Sequence, residues 1–196
     1  MSHYFSEKPT TKNIQKIIEY RLNNFILKFL TASSVFSRDQ IDKGTDLLIR
    51  ESIVQNNAAV LDLGCGYGPI GISIKKMYPY SSVTMSDINE RSLELTKKNI
   101  ILNQVEAEVI KSFLFDSIIT KFDVILSNPP FSAGKKLCFD LIEKSIDALN
   151  KKGNLQIVAP HKKGGKELKK KMLEIFGNVK DIAIQSGYHI YISQKE

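Results

Sequence analysis

Asn128, Pro129, Pro130 and Phe131 stand together at the end of an apolar run, Phe122-Asp123-Val124-Ile125-Leu126-Ser127. The run reads as a buried strand. Two consecutive prolines have no N–H for a sheet ladder, so the strand must stop there. Pro129 also biases Asn128 toward extended backbone. The tip then offers an amide side chain, the Pro129 carbonyl and an aromatic ring. These groups suit a flat molecule with an exocyclic amino group. The Asn128 oxygen and the carbonyl accept the two amino hydrogens, and Phe131 stacks on the ring. Alone, the tetrapeptide fits a strand-ending turn with a buried Phe equally well.

The upstream sequence separates the two readings. Val60-Leu61-Asp62-Leu63 runs into glycines at 64, 66, 68 and 71, and Ile72-Ser73-Ile74-Lys75-Lys76-Met77 follows with helical character. Strand, glycine loop and helix in this order form a nucleotide-binding loop, because glycine admits positive φ and close backbone approach to a ligand. Cys65 and Tyr67 lie within the loop. A second strand, Ser82-Val83-Thr84-Met85-Ser86-Asp87, ends on an acid. Asp87 lies about 20 residues beyond the loop, the spacing at which a carboxylate reaches a ribose hydroxyl pair. The further acid, Asp62, precedes the glycines. Asp62-x-Gly64-x-Gly66-x-Gly68 resembles the first motif of Rossmann-like S-adenosylmethionine-dependent methyltransferases. That cofactor has no pyrophosphate and carries an ammonium, so Asp62 is expected to supply negative charge nearby, directly or through water.

The elements that must position these residues alternate. Strands and helices are expected at 58–63, 70–77, 82–86, 90–102, 106–110, 123–127, 137–149 and 155–159, which implies an α/β fold with a doubly wound, mostly parallel sheet. A helix at 165–176 and strands near 179–185 and 188–193, turned at Ser186-Gly187, add a C-terminal antiparallel hairpin and bring the sheet to seven strands. Before the glycine loop come two short strands around Asn23-Asn24, a polar loop holding Phe36, and a helix over 46–55. The chain reads as one methyltransferase domain over 1–196: a small N-terminal β extension, 1–57, packed on a core at 58–196.

Length and composition agree. A chain of 196 residues with 42% hydrophobic and 25% charged residues can bury one good core. Two cysteines, one of them in the glycine loop, imply no disulfide framework. No apolar run approaches membrane-spanning length and the first residues lack a signal-peptide core, so the expected compartment is the cytoplasm, with no membrane partner. A net charge of +7 favours an anionic partner, nucleic acid above all. Lys135, His161, Lys162 and Lys163 fall in or beside loops expected at the carboxyl end of the sheet, placed for phosphate contact. Lys169, Lys170 and Lys171 read as a solvated helix face. His3, His161 and His189 have no partners at metal-ligand spacing, and no metal is expected.

Taken together, the motifs resemble the small-domain S-adenosylmethionine-dependent methyltransferases, the family similar to the bacterial ribosomal RNA small subunit methyltransferase C. The likeness runs through His3-Tyr4-Phe5-Ser6, Val35-Phe36-Ser37, Asp42-x-Gly44-Thr45, the glycine loop, Asp87-Ile88-Asn89, Ser127-Asn128-Pro129-Pro130-Phe131 and Phe176-Gly177-Asn178-Val179. It implies a Rossmann-like enzyme that methylates guanine N2 in ribosomal RNA, as a monomer or homodimer. Gly64–Gly68 and Asp62 would hold the methionine end of the cofactor, and Asp87 the ribose, with Ile88 against the adenine. Asn128 and the Pro129 carbonyl would orient the amino group, with Phe131 stacked on the base and Phe36 and Thr45 closing the site. Relatives carry a Ser-Asp pair where this chain has Ser112-Phe113, so Phe113 cannot give the adenine amino group a carboxylate. Asn-Pro-Pro-aromatic also serves adenine-N6 and protein glutamine methylation, and a non-catalytic cofactor-binding subunit is the reading from another class. A nicotinamide oxidoreductase has no use for Asn-Pro-Pro-Phe.

Overall fold

The computed structural model describes residues 15–32, 39–130 and 134–196. β1 (Gln15–Leu22) and β2 (Phe25–Ala32) pair as an antiparallel hairpin, and its two-residue connection holds Asn23 at φ +51°. After α1 (Lys43–Glu51), strands and helices alternate: β3 (Ala59–Leu63), α2 (Pro69–Met77), β4 (Ser82–Asp87), α3 (Glu90–Leu102), β5 (Glu108–Lys111), β6 (Phe122–Ser127), α4 (Lys135–Ala148) and β7 (Leu149–Pro160). α5 (Lys166–Phe176), β8 (Lys180–Gln185) and β9 (Tyr188–Gln194) complete the chain. The sheet order is β5-β4-β3-β6-β7-β9-β8. It is parallel through β7 and antiparallel across β9 and β8, which bears out the expected doubly wound sheet with a terminal hairpin.

Burial explains the strand composition. One hydrophobic cluster joins α1, α2, α3 and the β1–β2 hairpin to one face of the sheet, and a second joins α4 and α5 to the other. The central strands β3 and β6 are therefore near-continuous apolar runs, as parallel strands covered on both faces must be. The chain leaves β5 at one edge of the sheet and re-enters as β6 on the other side of β3. That reversal opens a crevice beyond the carboxyl ends of β3 and β6, where ligands of such folds bind.

Three local features depart from the expectations or escape them. The helix expected over 46–55 begins at Lys43, because Asp42 caps it through the N–H groups of Gly44 and Thr45. It ends at Glu51, because the Gln156 side chain takes both the N–H (2.9 Å) and the C=O (2.8 Å) of Ile53. After β7 the chain does not form an open loop: His161–Gly165 makes a tight kinked turn, with Gly164 at φ +108°. Finally, α3 holds the outer side of β2 with two side chains. Asn99 accepts from Leu30 N–H (2.7 Å) and donates to Leu30 C=O (3.0 Å), and Asn103 does the same for Lys28 (2.9 and 2.8 Å). Asn99 also donates to the carbonyl of Tyr67 (2.9 Å), so the hairpin, α3 and the glycine loop meet at one amide.

Candidate active site

The crevice holds a cavity of about 410 Å³, within the range of small-molecule sites. Its floor is the glycine loop. Leu63 ends β3 and the chain turns through Gly64 (φ +76°) and Gly66 (φ +59°). A side chain could not adopt those angles without strain. At both glycines the position of a Cβ faces open space, so the backbone itself lies against the cavity, with Cys65 and Tyr67 lining it beside them. Gly68 serves differently: it caps α2 at φ +90° and does not line the cavity. Gly71 packs that helix against β4, since a Cβ there would stand 2.5 Å from Met85 Cγ and Sδ.

Asp87 and Ile88 form the wall at the end of β4. The Asp87 carboxylate accepts from Gly66 N–H and Asn89 N–H, each at 2.9 Å, so it shapes the loop while bordering the cavity. Burial raises its pKa. The Ile88 N–H also faces it, and these donors still leave acceptor capacity for a ligand hydroxyl, since a carboxylate has about four acceptor sites. Ser112, Phe113 and Leu114 complete this wall. Ser112 Oγ donates to Leu114 C=O (2.9 Å) and accepts from Ser117 N–H (3.0 Å), which fixes the turn, while the Phe113 ring is half exposed and supplies apolar surface.

The other end is built from Asn128, Pro129 and Pro130, with the cap residue Asp42 and Thr45 at the start of α1 and Tyr188 from β9. Asn128 Nδ2 donates to Thr45 Oγ1 (2.9 Å) and reaches the Asp42 carboxylate at 3.3 and 3.4 Å. A carboxylate only accepts, so the NH₂ must face Asp42 and the Asn128 oxygen is turned away from it. Among the described residues no protein donor reaches that oxygen. The tip that the prolines create is thus a polarised acceptor bordering the cavity.

Several expected site residues stand apart. Asp62 is wholly buried beneath the loop and does not line the cavity. Its Oδ2 accepts from Gly71 N–H at 2.8 Å, tying β3 to α2, and its Oδ1 has no hydrogen-bond partner among the described residues. Burial, opposed by the Gly71 N–H and aided by the Asp87 charge, pushes its pKa to about 7. Lys135 opens α4 and pairs with Glu167 at 3.0 Å, outside the lining. His161 is not an open-loop residue: its ring stacks on His189 at 4.0 Å and its Nδ1 shares a hydrogen with Tyr191 Oη at 2.8 Å. His189 in turn pairs with Asp181 at 2.8 Å. The two histidines therefore have partners that sequence spacing does not reveal, although no metal-ligating cluster is found among the described residues. Lys162 and Lys163 are exposed on the turn, beyond the lining. Lys171 is not simply solvated, because it bridges Glu143 and Glu174. Phe36 and Phe131 lie outside the described residues.

Asp42 and Tyr188 are two of the cavity residues to which the sequence assigns no role. Asp42 had a signal, an N-cap acid before Gly44-Thr45, but its contact with Asn128 spans 86 positions. Tyr188 had none: it reaches the site because β9 lies antiparallel to β7 and its ring packs on Gly44, where a Cβ would stand 2.9 Å away.

The chain matches the family model for the methyltransferase small domain over residues 26–192. It is 37% identical over 199 residues to the uncharacterized protein YbxB of Bacillus subtilis (strain 168), covering 98% of each chain. With ribosomal RNA small subunit methyltransferase C of Pasteurella multocida (strain Pm70) it shares 41% identity over 137 residues, or 68% of this chain and 42% of that one. It thus spans less than half the length of that relative. Among solved structures it is similar to the T. thermophilus 16S rRNA N2 G1207 methyltransferase (RsmC) in complex with AdoMet and guanosine, with a TM-score of 0.81 and 20% identity over 96% of this chain and 52% of that one. A methyltransferase from Pyrococcus furiosus gives a TM-score of 0.71 at 23% identity, over 82% of this chain and 86% of that one. At these identities the two structures speak for the fold alone.

Proposed function

The chain belongs to the methyltransferase small domain family, and on that premise we propose that it transfers a methyl group from S-adenosylmethionine to an exocyclic amino group of RNA, guanine N2 in ribosomal RNA. The cavity fits the cofactor. Gly64 and Gly66 border it with bare backbone, Asp87 has acceptor capacity for ribose hydroxyls, and Ile88, Phe113 and Leu114 give an apolar wall for a purine. Bound there, S-adenosylmethionine supplies a methyl group on an electrophilic sulfonium.

The chain's own residues prepare the acceptor. Asn128 Oδ1, held outward by Thr45 and Asp42, accepts one amino hydrogen, and the Pro129 carbonyl takes the second. Both hydrogens held this way draw the amine lone pair out of conjugation with the ring and aim it at the methyl group. The amine nitrogen forms the new bond to the methyl carbon as the carbon–sulfur bond breaks with its electron pair staying on sulfur, and the surplus proton on nitrogen departs to solvent afterwards. Positioning and preorganised acceptors carry the rate, so no strong base is required. Asp62 stabilises the loop from beneath, and Lys162 and Lys163 meet phosphates beside the site.

The observation that carries this reading is the fixed polarity of the Asn128 amide at the cavity. Similarity to the ribosomal RNA small subunit methyltransferase C proteins and the net charge of +7 support RNA as the acceptor. The test is methyl transfer from labelled S-adenosylmethionine to separate pools of RNA, DNA and protein, followed by nucleoside analysis. N2-methylguanine in ribosomal RNA is the expected product. Label in N6-methyladenine or in protein alone would refute the assignment.

A further inference from the structure

Asp42 has a capacity that neither its capping role nor Asn128 uses up. Its Oδ1 accepts from Gly44 N–H (2.9 Å), Thr45 N–H (3.2 Å) and Asn128 Nδ2 (3.3 Å). Its Oδ2 is met only by Asn128 Nδ2, at 3.4 Å, among the described residues. Asp42 borders the cavity beside Asn128 and Pro129. The acceptor end of the cavity therefore holds three acceptors: the Asn128 oxygen, the Pro129 carbonyl and a carboxylate.

Two acceptors suffice for any primary amine. The third distinguishes substrates. Guanine presents three hydrogens along one edge, two on N2 and one on the neighbouring ring nitrogen N1. Adenine presents two hydrogens on N6 and a lone pair on N1. A glutamine amide presents two hydrogens beside a carbonyl oxygen. A carboxylate at the third position attracts the guanine imino hydrogen and faces a lone pair in both rivals. Leaving a lone pair against a partly buried carboxylate is the kind of mismatch that sites reject.

We propose that Asp42 is a specificity-determining residue that accepts the imino N–H beside the reacting amine and so selects guanine. The proposal rests on the guanine-N2 reading above and deepens it. Because Asn caps a helix about as well as Asp, Asp42→Asn leaves the start of α1 intact while replacing an acceptor with a group that can donate.

The experiment titrates the protein, saturated with S-adenosylhomocysteine, with guanosine, 2,6-diaminopurine riboside and adenosine, followed by NMR shift changes. Diaminopurine keeps the 2-amino group but carries a lone pair at N1. The wild-type protein should bind guanosine about tenfold or more tightly than diaminopurine riboside, the scale of one hydrogen bond to a charged group. In Asp42→Asn the two should fall within about threefold, with an unchanged midpoint of thermal unfolding. A wild-type protein that treats guanosine and diaminopurine riboside alike, or fails to bind guanosine, overturns the proposal. So does an Asp42→Asn protein that keeps the full ratio, even where the wild type makes N2-methylguanine in RNA; in that case the guanine reading survives alone. Adenosine bound more tightly than guanosine by the wild type defeats the guanine reading itself.

Discussion

Replacing Asp62 by Asn should change how stability depends on pH, and the sign follows from the site. Asp62 is fully buried, holds one backbone N–H and has a second oxygen without a partner among the described residues. Its carboxyl titrates near the ordinary value of 3.8 in the unfolded chain and at about 7 in the folded protein. A folded pKa raised above the unfolded one means the native state binds more protons between those values. Its stabilising contribution is complete below pH 3.8 and is lost as the pH rises through 7. At about 1.4 kcal/mol per pKa unit the full loss is about 4 kcal/mol. Asp62→Asn removes the titration while its amide oxygen still accepts from Gly71 N–H. Its buried NH₂ introduces a cost of about 1–3 kcal/mol that does not vary with pH. The informative quantity is therefore the change with pH in the difference between the two proteins. Urea unfolding of both, from about pH 4.5 to 8.5, should show the wild type losing about 2–4 kcal/mol relative to the variant. A difference that stays flat, or moves in favour of the wild type as pH rises, would refute the burial argument.

Three further outcomes follow from the site and its supports. Asn128→Ala should lower turnover on the RNA acceptor by about 10²–10³-fold while calorimetry shows cofactor affinity nearly unchanged; near-normal turnover would remove Asn128 from the reaction. Asn99→Ala should cost about 2–4 kcal/mol in urea unfolding, because it strands Leu30 N–H and C=O together with the Tyr67 carbonyl, and a loss under about 1 kcal/mol would mean that water replaces the amide. Replacing Lys162 and Lys163 together by Gln should flatten the salt dependence of RNA binding by about 0.7 in slope for each phosphate no longer neutralised, with S-adenosylhomocysteine affinity unchanged, whereas an unaltered slope would place the RNA path elsewhere.

The strand–glycine–helix unit and the Asn-Pro-Pro tip were legible in the sequence because each is dictated locally, by backbone freedom at glycine and by the missing N–H of proline. The alternation of elements followed from hydrophobic runs, and the mostly parallel, doubly wound sheet from that alternation, whereas the order of its strands came only with the structure. What escaped was long-range. The contacts of Asn128 with Asp42, of Gln156 with Ile53 and of Asn99 with Leu30 join residues more than 60 positions apart, and an amide in a helix carries no mark of what it will face. The burial of Asp62 escaped for a related reason. Its position before the glycines signals proximity to the loop but not which side of the loop it occupies, and the close approach of Gly71 draws it beneath. The pairing of His161 with His189 depends on the antiparallel return of β9, which spacing alone does not disclose.

The amide pair on α3 has a consequence for life at high concentration. A two-stranded ribbon leaves unpaired peptide groups along its outer border, and such borders recruit strands from other molecules. At Lys28 and Leu30 that border is already answered, group by group, by Asn103 and Asn99. The helix thus imitates the strand that would otherwise be missing. Loss of either asparagine should therefore show itself in turbidity on prolonged incubation as well as in stability, because it would reopen a docking edge that a neighbouring chain can occupy.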